Sequence, residues 1–221
     1  MTKKLPALIF SLAVSALVIG AANAPAVQAD ANSAKASASR EYRIKAAFLY
    51  NFAKFTVWPA EAFADAKAPL RLCVLGEDPF HGALAALEGR TVKNRPIIAS
   101  RLSSGDPLGQ CHLLFVSASE HGRLGTILKS LRGMPVLVVG DTPHFARSGG
   151  TIRLEIVGNK VHFEINVGAA QHAKLKIDSR LLRLGRIVDK RAASLPQRPA
   201  PAEDMAKVAT ILPASGKSLE N

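Results

Sequence analysis

Four short runs rich in Val, Leu and Ile, each closed by turn residues and separated by helix-length segments, constrain this chain most. They are 70–75 (LRLCVL), 95–101 (RPIIASR), 111–116 (CHLLFV) and 134–139 (MPVLVV). Strands that alternate with helices form a largely parallel sheet with helices on its faces. Asp78 and Pro79 suit the start of a helix over 78–87, and a second helix is expected over 119–131. Further on the period changes to two. Ile152, Leu154 and Ile156 alternate with Arg153 and Glu155, and Val161, Phe163 and Ile165 alternate with His162 and Glu164, around Gly158-Asn159. That is an antiparallel hairpin with one wet face, on which Glu164 and Asn166 are expected to point away from the core. A final helix over 179–191 separates Leu181, Leu182, Leu184 and Val188 from Arg180, Arg183, Arg186 and Lys190. The fold class is therefore α/β: a mixed, largely parallel sheet flanked by helices, with a C-terminal antiparallel hairpin and a final amphipathic helix.

Before the first strand, 41–58 (EYRIKAAFLYNFAKFTVW) places Ile44, Phe48, Phe52 and Phe55 on one stripe at helical spacing, with Pro59 as a stop. Leu49, Ala53 and Val57 extend the apolar surface, as in a helix buried against more than one neighbour. Asn51 interrupts the stripe, and a buried amide must find partners, either in a neighbouring loop or in a second subunit. Trp58, the only Trp, stands at the expected helix end. It reads equally as an interface anchor and as a residue sealing the core.

Residues 1–29 have the layout of a secretory signal peptide: Lys3 and Lys4, an apolar run from Leu5 to Ile19, then small residues with A-x-A spacing. The run is shorter than the roughly 20 residues of a spanning helix. Cleavage is expected after Ala29, since Pro25 would hinder a cut after Ala24. Residues 30–39 read as a linker, 40–191 as the folded domain and 192–221 as a disordered tail rich in Pro, Ala and Ser. Loss of Lys3 and Lys4 lowers the formal charge from +12 to +10. Export and the lack of a finger, RRM-like or helix-turn-helix signature argue against nucleic acid as the partner of this basic chain.

The two cysteines, Cys73 and Cys111, fall in the first and third strands. In an oxidising compartment an even pair is more naturally a disulfide than two thiols. A 2-1-3-4 strand order would make their strands neighbours. A metal site lacks ligands, because Cys111-His112 stands alone. No G-x-S-x-G, H-E-x-x-H, phosphate loop or dinucleotide fingerprint occurs, so neither catalytic residues nor a cofactor are expected. The turns at Gly76–Asp78 and Asp141–His144 would form the mouth of a small-ligand pocket, should the protein be a ligand sensor.

Taken in order, EYRIKAAFLYNFAKFTVWP (41–59), LRLCVLGEDPF (70–80), the block ending at Arg95-Pro96, CHLLFV (111–116), GGTIRL (149–154), VHFEINVGAA (161–170) and SRLLRLGRIV (179–188) resemble the YfiR-like family. The resemblance implies a periplasmic homodimer without a catalytic centre. Such a protein holds down an inner-membrane diguanylate cyclase by binding its periplasmic part, lowers cyclic di-GMP and biofilm formation, and is relieved by an outer-membrane lipoprotein. It implies Cys73 and Cys111 as the family's structural pair. The second disulfide of some members has no counterpart here. Asn51, Trp58, Glu164 and Asn166 are the expected partner or dimer interface.

Overall fold

The computed structural model describes residues 26–188 except Asn159. Its elements in chain order are α1 (Ala26–Lys54), β1 (Thr56–Val57), β2 (Leu70–Leu75), β3 (Thr91–Val92), β4 (Arg95–Leu102), β5 (Leu113–Val116), α2 (Leu124–Ser130), β6 (Leu137–Gly140), β7 (Ile152–Val157), β8 (Lys160–Ile165), α3 (Val167–His172), β9 (Lys176–Ile177), α4 (Ser179–Leu184) and β10 (Arg186–Ile187). The expected signal peptide lies outside the described residues except for 26–29, which begin α1, and the expected tail lies wholly outside them. Among the described residues no helix is long and apolar enough to cross a membrane.

One eight-stranded sheet runs in the order β10-β8-β7-β6-β5-β2-β4-β3. Pairing is parallel from β4 through β2, β5 and β6 to β7, and the four parallel strands foreseen in the sequence have the expected order. The β7–β8 hairpin is antiparallel and continues this same sheet. Central strands are covered on both sides, which is why they read as unbroken apolar runs. Leu72, Val74, Leu113, Phe115, Leu137 and Val139 face one core, and Cys73, Leu75, Leu114, Val116 and Val138 face the other.

The larger core belongs to α1. Phe48 and Phe52 meet the β8 residue Phe163, with ring centroids 6.3 and 5.3 Å apart. Leu49, Phe52 and Ala53 are fully buried, so α1 is the core helix its all-round apolar surface suggested. It ends earlier than expected. The β-branched pair Thr56-Val57 favours extended backbone, and Pro59 excludes helical geometry at Trp58. Thr56 Oγ1 donates to the orphan carbonyl of Phe52 at 2.7 Å, and Thr56-Val57 pairs with Ile177-Lys176 as a separate two-stranded sheet. At the other end α1 runs back through the residues read as a linker. Ser33 and residues 35–40 are exposed there, and Ala36 and Ala38 among them favour helical backbone without being buried.

Two other helices were overdrawn. In place of a helix over 78–87 there is an Asx turn, with Asp78 Oδ1 accepting from Phe80 N, and then a short 3-10 segment, Ala83–Leu87. Gly82, at φ 88°, separates the two. The C-terminal helix stops at Leu184. Gly185 packs where any Cβ would lie 2.5 Å from the Phe163 ring, and Arg186-Ile187 leaves to pair in parallel with Glu164-Ile165.

On the smaller core, Phe145 folds over the sheet end between Gly140 and Gly150. A Cβ at Gly150 would stand 2.2 Å from its ring. Gly150→Ala is expected to destabilise the fold by roughly 1–3 kcal/mol through overpacking, and by clearly less when Phe145 is already Ala. Urea unfolding of the four proteins of this cycle measures the coupling; equal costs in both backgrounds would show that the ring is not the obstacle.

Candidate interaction site

Polar groups concentrate at the two edges where the strands begin and end. At the carboxyl edge, Lys45 of α1 is buried and its Nζ bonds Asp141 at 2.6 Å and Glu41 at 2.5 Å. The Tyr42 hydroxyl donates to the same Asp141 oxygen at 2.9 Å. Burial, with the Asp141 carboxylate second, pushes that hydroxyl above its ordinary range. Asp78 is held by Arg101 at 2.6 Å, and a Cβ at Gly76 would strike Ser119 Oγ. The mouth considered for a small ligand is therefore occupied by the chain's own ion pairs and side chains. An open groove of about 540 Å³ lies elsewhere, between loop 104–110 and α2, lined by Leu75, Leu108, Ile127 and Met134 among others.

At the amino edge, Trp58 is buried, and its Nε1 donates to His112 O at 3.1 Å. It seals the core rather than standing at the surface. His112 Nδ1 accepts from Arg71 N at 2.9 Å, so Nε2 carries the proton and donates to Ala62 O at 2.9 Å. The imidazole stacks on Phe63 at 4.3 Å, and Arg95 covers the far side of that ring. Burial lowers the His112 pKa, the hydrogen bond to Ala62 opposes this, and Arg71 and Arg95 add to the lowering. With both nitrogens engaged and a neutral ring favoured, His112 is a structural wedge. Among the described residues no cluster of three metal-ligating side chains occurs.

Cys73 and Cys111 are bridged, with Cα atoms 6.0 Å apart, and both are almost fully buried in the smaller core. Cys111 precedes β5 by two residues, so the bridge ties the start of that strand to its neighbour β2.

The four residues expected at an interface are all buried in the single chain: Asn51 at 7%, Trp58 at 8%, Glu164 at 5% and Asn166 at 8% exposure. They do not converge. Asn51 lies on α1, where its carbonyl receives Phe55 N, and its amide bonds no neighbouring loop among the described residues. Glu164 does face away from Phe163 and Ile165, as the strand period requires, and on that face His162 is exposed and Arg153 and Glu155 are half-buried, but Glu164 itself is buried. Arg186 of β10 forms an ion pair with it, and Arg153 approaches to 4.0 Å while donating to Thr142 O. Asn166 caps α3, accepting from Ala169 N and donating to Ala146 O, both at 2.8 Å. It fixes the Phe145 loop from beneath.

A second surface escaped the sequence reading. Lys54 and Arg90 flank the Tyr50 ring, each 5.5 Å from its centroid, and Arg180 lies over Phe55 at 5.0 Å. Its signal was available only in pieces, as Tyr50 and Phe55 beside Lys54 and as basic residues at 90–95 and 176–183, and Arg180 reaches Phe55 only through the β1–β9 pairing.

Two outcomes are expected. Replacing both cysteines by Ala should lower stability by up to about 4 kcal/mol, the value loop entropy assigns to a bridge of this span; denaturant midpoints that agree with the oxidised parent would show the bridge to be energetically idle. For His112 the folded pKa lies below the ordinary 6.5, so the folded state refuses a proton that the unfolded chain accepts. Its contribution is complete above about pH 6.5 and declines as the pH falls toward the folded value. Stability measured from about pH 8 to pH 5 should fall more steeply for the parent than for His112→Gln; parallel profiles would reject the assignment.

A family model described as YfiR/HmsC-like matches residues 42–186. That span holds the paired cysteines, the α1 seam and both polar edges, and on this evidence the chain belongs to the YfiR/HmsC-like family of periplasmic regulators of cyclic di-GMP signalling.

Proposed function

We propose that the protein represses an inner-membrane diguanylate cyclase by binding its periplasmic domain, and so lowers cyclic di-GMP and biofilm formation. We further place it in a homodimer that an outer-membrane lipoprotein relieves. The observation that carries this reading is the internal use of groups that chemistry would need. Asp141 is held by Lys45 and Tyr42, Asp78 by Arg101, and His112 by Arg71 N and Ala62 O. A chain whose acids and imidazole are engaged in this way acts through its surface. A repressor of this kind binds one receptor conformation better than the other, and its effect is bounded by that difference in affinity. Asn51, Trp58, Glu164 and Asn166, buried as they are, contribute to an interface by holding its surface groups in place: Glu164 fixes Arg186, and Asn166 fixes the Phe145 loop. The ligand-sensing alternative draws on the groove beside α2.

Deleting the gene should raise cellular cyclic di-GMP severalfold, and complementation with the full chain should restore it. An unchanged nucleotide level in resting and envelope-stressed cells would reject cyclase repression and leave the ligand-sensing reading in front.

A further inference from the structure

We propose that the face formed by the end of α1, the β1–β9 pair, the β3–β4 turn and α4 is the docking surface for an acidic protein segment of the membrane partner; this rests on the binding role proposed above. Six cations gather there from five stretches of chain: Lys54, Arg90, Lys93, Lys176, Arg180 and Arg183. Contacts on the page establish that they are neighbours. Lys54 and Arg90 share the Tyr50 ring, whose hydroxyl reaches Thr91 O at 3.2 Å. Lys93 Nζ donates to Thr56 O at 2.7 Å, Val57 is register partner to Lys176, and Asp178 N donates to Phe55 O at 2.8 Å. Arg180 covers Phe55, and the charge of Asp178 is felt by Lys93 and Arg183 alike.

Lys54, Arg90, Lys176 and Arg183 form no ion pair with a carboxylate among the described residues, whereas seven acids elsewhere or at the rim are engaged, Glu41, Asp78, Glu120, Asp141, Glu155, Glu164 and Asp178. Four of the six cations on this face are therefore without a carboxylate partner among the described residues. Such a face attracts and orients a negative partner.

Three features favour an acidic protein over a lipid surface. The aromatic rings that would enter a bilayer, Tyr50 and Phe55, lie beneath cations, and Val57 is the large apolar side chain left exposed, at 45%. The stacked guanidinium and ammonium groups are held in place, so little rotamer freedom is lost on binding. The patch also already chelates a carboxylate: Arg180 grips Asp178 with Nε–Oδ1 at 3.0 Å and Nη2–Oδ2 at 2.9 Å, the two-pronged geometry in which Arg recognises Asp and Glu side chains.

The test uses the full chain and the exposed residues Lys54, Lys176 and Arg183, whose side chains bond no backbone group among the described residues. The variant Lys54→Glu/Lys176→Glu/Arg183→Glu is compared with a control of distant reversals on and after α2, Lys129→Glu/Arg132→Glu, with melting temperature and periplasmic abundance checked for each. Polyglutamate serves as the acidic probe. Its affinity should fall about tenfold or more in the patch variant, fall with added salt in the parent, and stay near the parent value in the control. In cells the patch variant should raise cyclic di-GMP as the deletion does. A patch variant that binds polyglutamate like the parent overturns the proposal. If deletion raises the nucleotide but the patch variant still represses fully, this surface is wrong while the repressor reading stands; if deletion has no effect, the repressor reading fails and the partner assignment with it, whatever polyglutamate does. Patch-dependent binding to phosphatidylcholine vesicles containing phosphatidylglycerol, without polyglutamate binding, assigns the face to lipid and overturns it as well.

Discussion

Helix α1 runs from the carboxyl edge of the sheet to its amino edge, and the larger core is built on it. Its Phe48 and Phe52 close on Phe163, its Lys45 reaches the carboxyl edge at Asp141, and the chain just past its end is clamped at the amino edge by Ile177 and Lys176. The apolar contact supplies the driving force, since burying two Phe side chains is worth several kcal/mol. The Lys45–Asp141 pair does a different job. Desolvation offsets much of the gain from a buried ion pair, yet removing one partner strands the other at a cost of about 3–5 kcal/mol. It therefore penalises any sliding of the helix along the sheet more than it stabilises the seated position.

The two faces of the sheet divide labour accordingly. The α1 face carries most of the core, while the α2 face carries the disulfide, the Phe145 fold-over and the Arg153–Glu164–Arg186 row. A cross-link acts mainly on the unfolded chain, so its contribution follows the length of chain it closes and adds to whatever packing supplies. Cys73 and Cys111 sit in the smaller core, at the strand whose start is a 3-10 turn and not a paired ladder.

What the sequence disclosed followed from local rules. Strand-length apolar runs, the Gly158-Asn159 turn and the phenylalanine stripe each depend on neighbours within a few residues, while the cysteine pairing rested on an even count in an oxidising compartment and on the family resemblance. The misreadings share a cause of the opposite kind. Glu164 has the facing its strand period demands, but its burial is decided by Arg186, which reaches it only because the chain turns at Gly185 and pairs back. Trp58 was read as a helix end because the stripe was extrapolated across Thr56-Val57, two β-branched residues before a pre-proline position that already argued against helix. Asn166 was treated as a surface polar residue when its better signal was as an N-cap, the role it has at the start of α3.

That distinction bears on where this chain meets other molecules. Polar residues conspicuous in a one-dimensional pattern, such as an Asn within an apolar stripe or a Glu in a strand, are conspicuous because the fold uses them, and here it buries all three that stood out, Asn51, Glu164 and Asn166, together with Trp58. Residues left for recognition are ordinary in the sequence: a Lys at the end of α1, an Arg before a two-residue strand, an Arg one turn into a short helix. They become a surface only when β1 finds β9 and brings Tyr50 and Phe55 beneath cations drawn from distant segments. A small two-stranded sheet with little burial of its own thus sets the electrostatic face of the domain, and whatever shifts that pairing alters recognition before it alters the core.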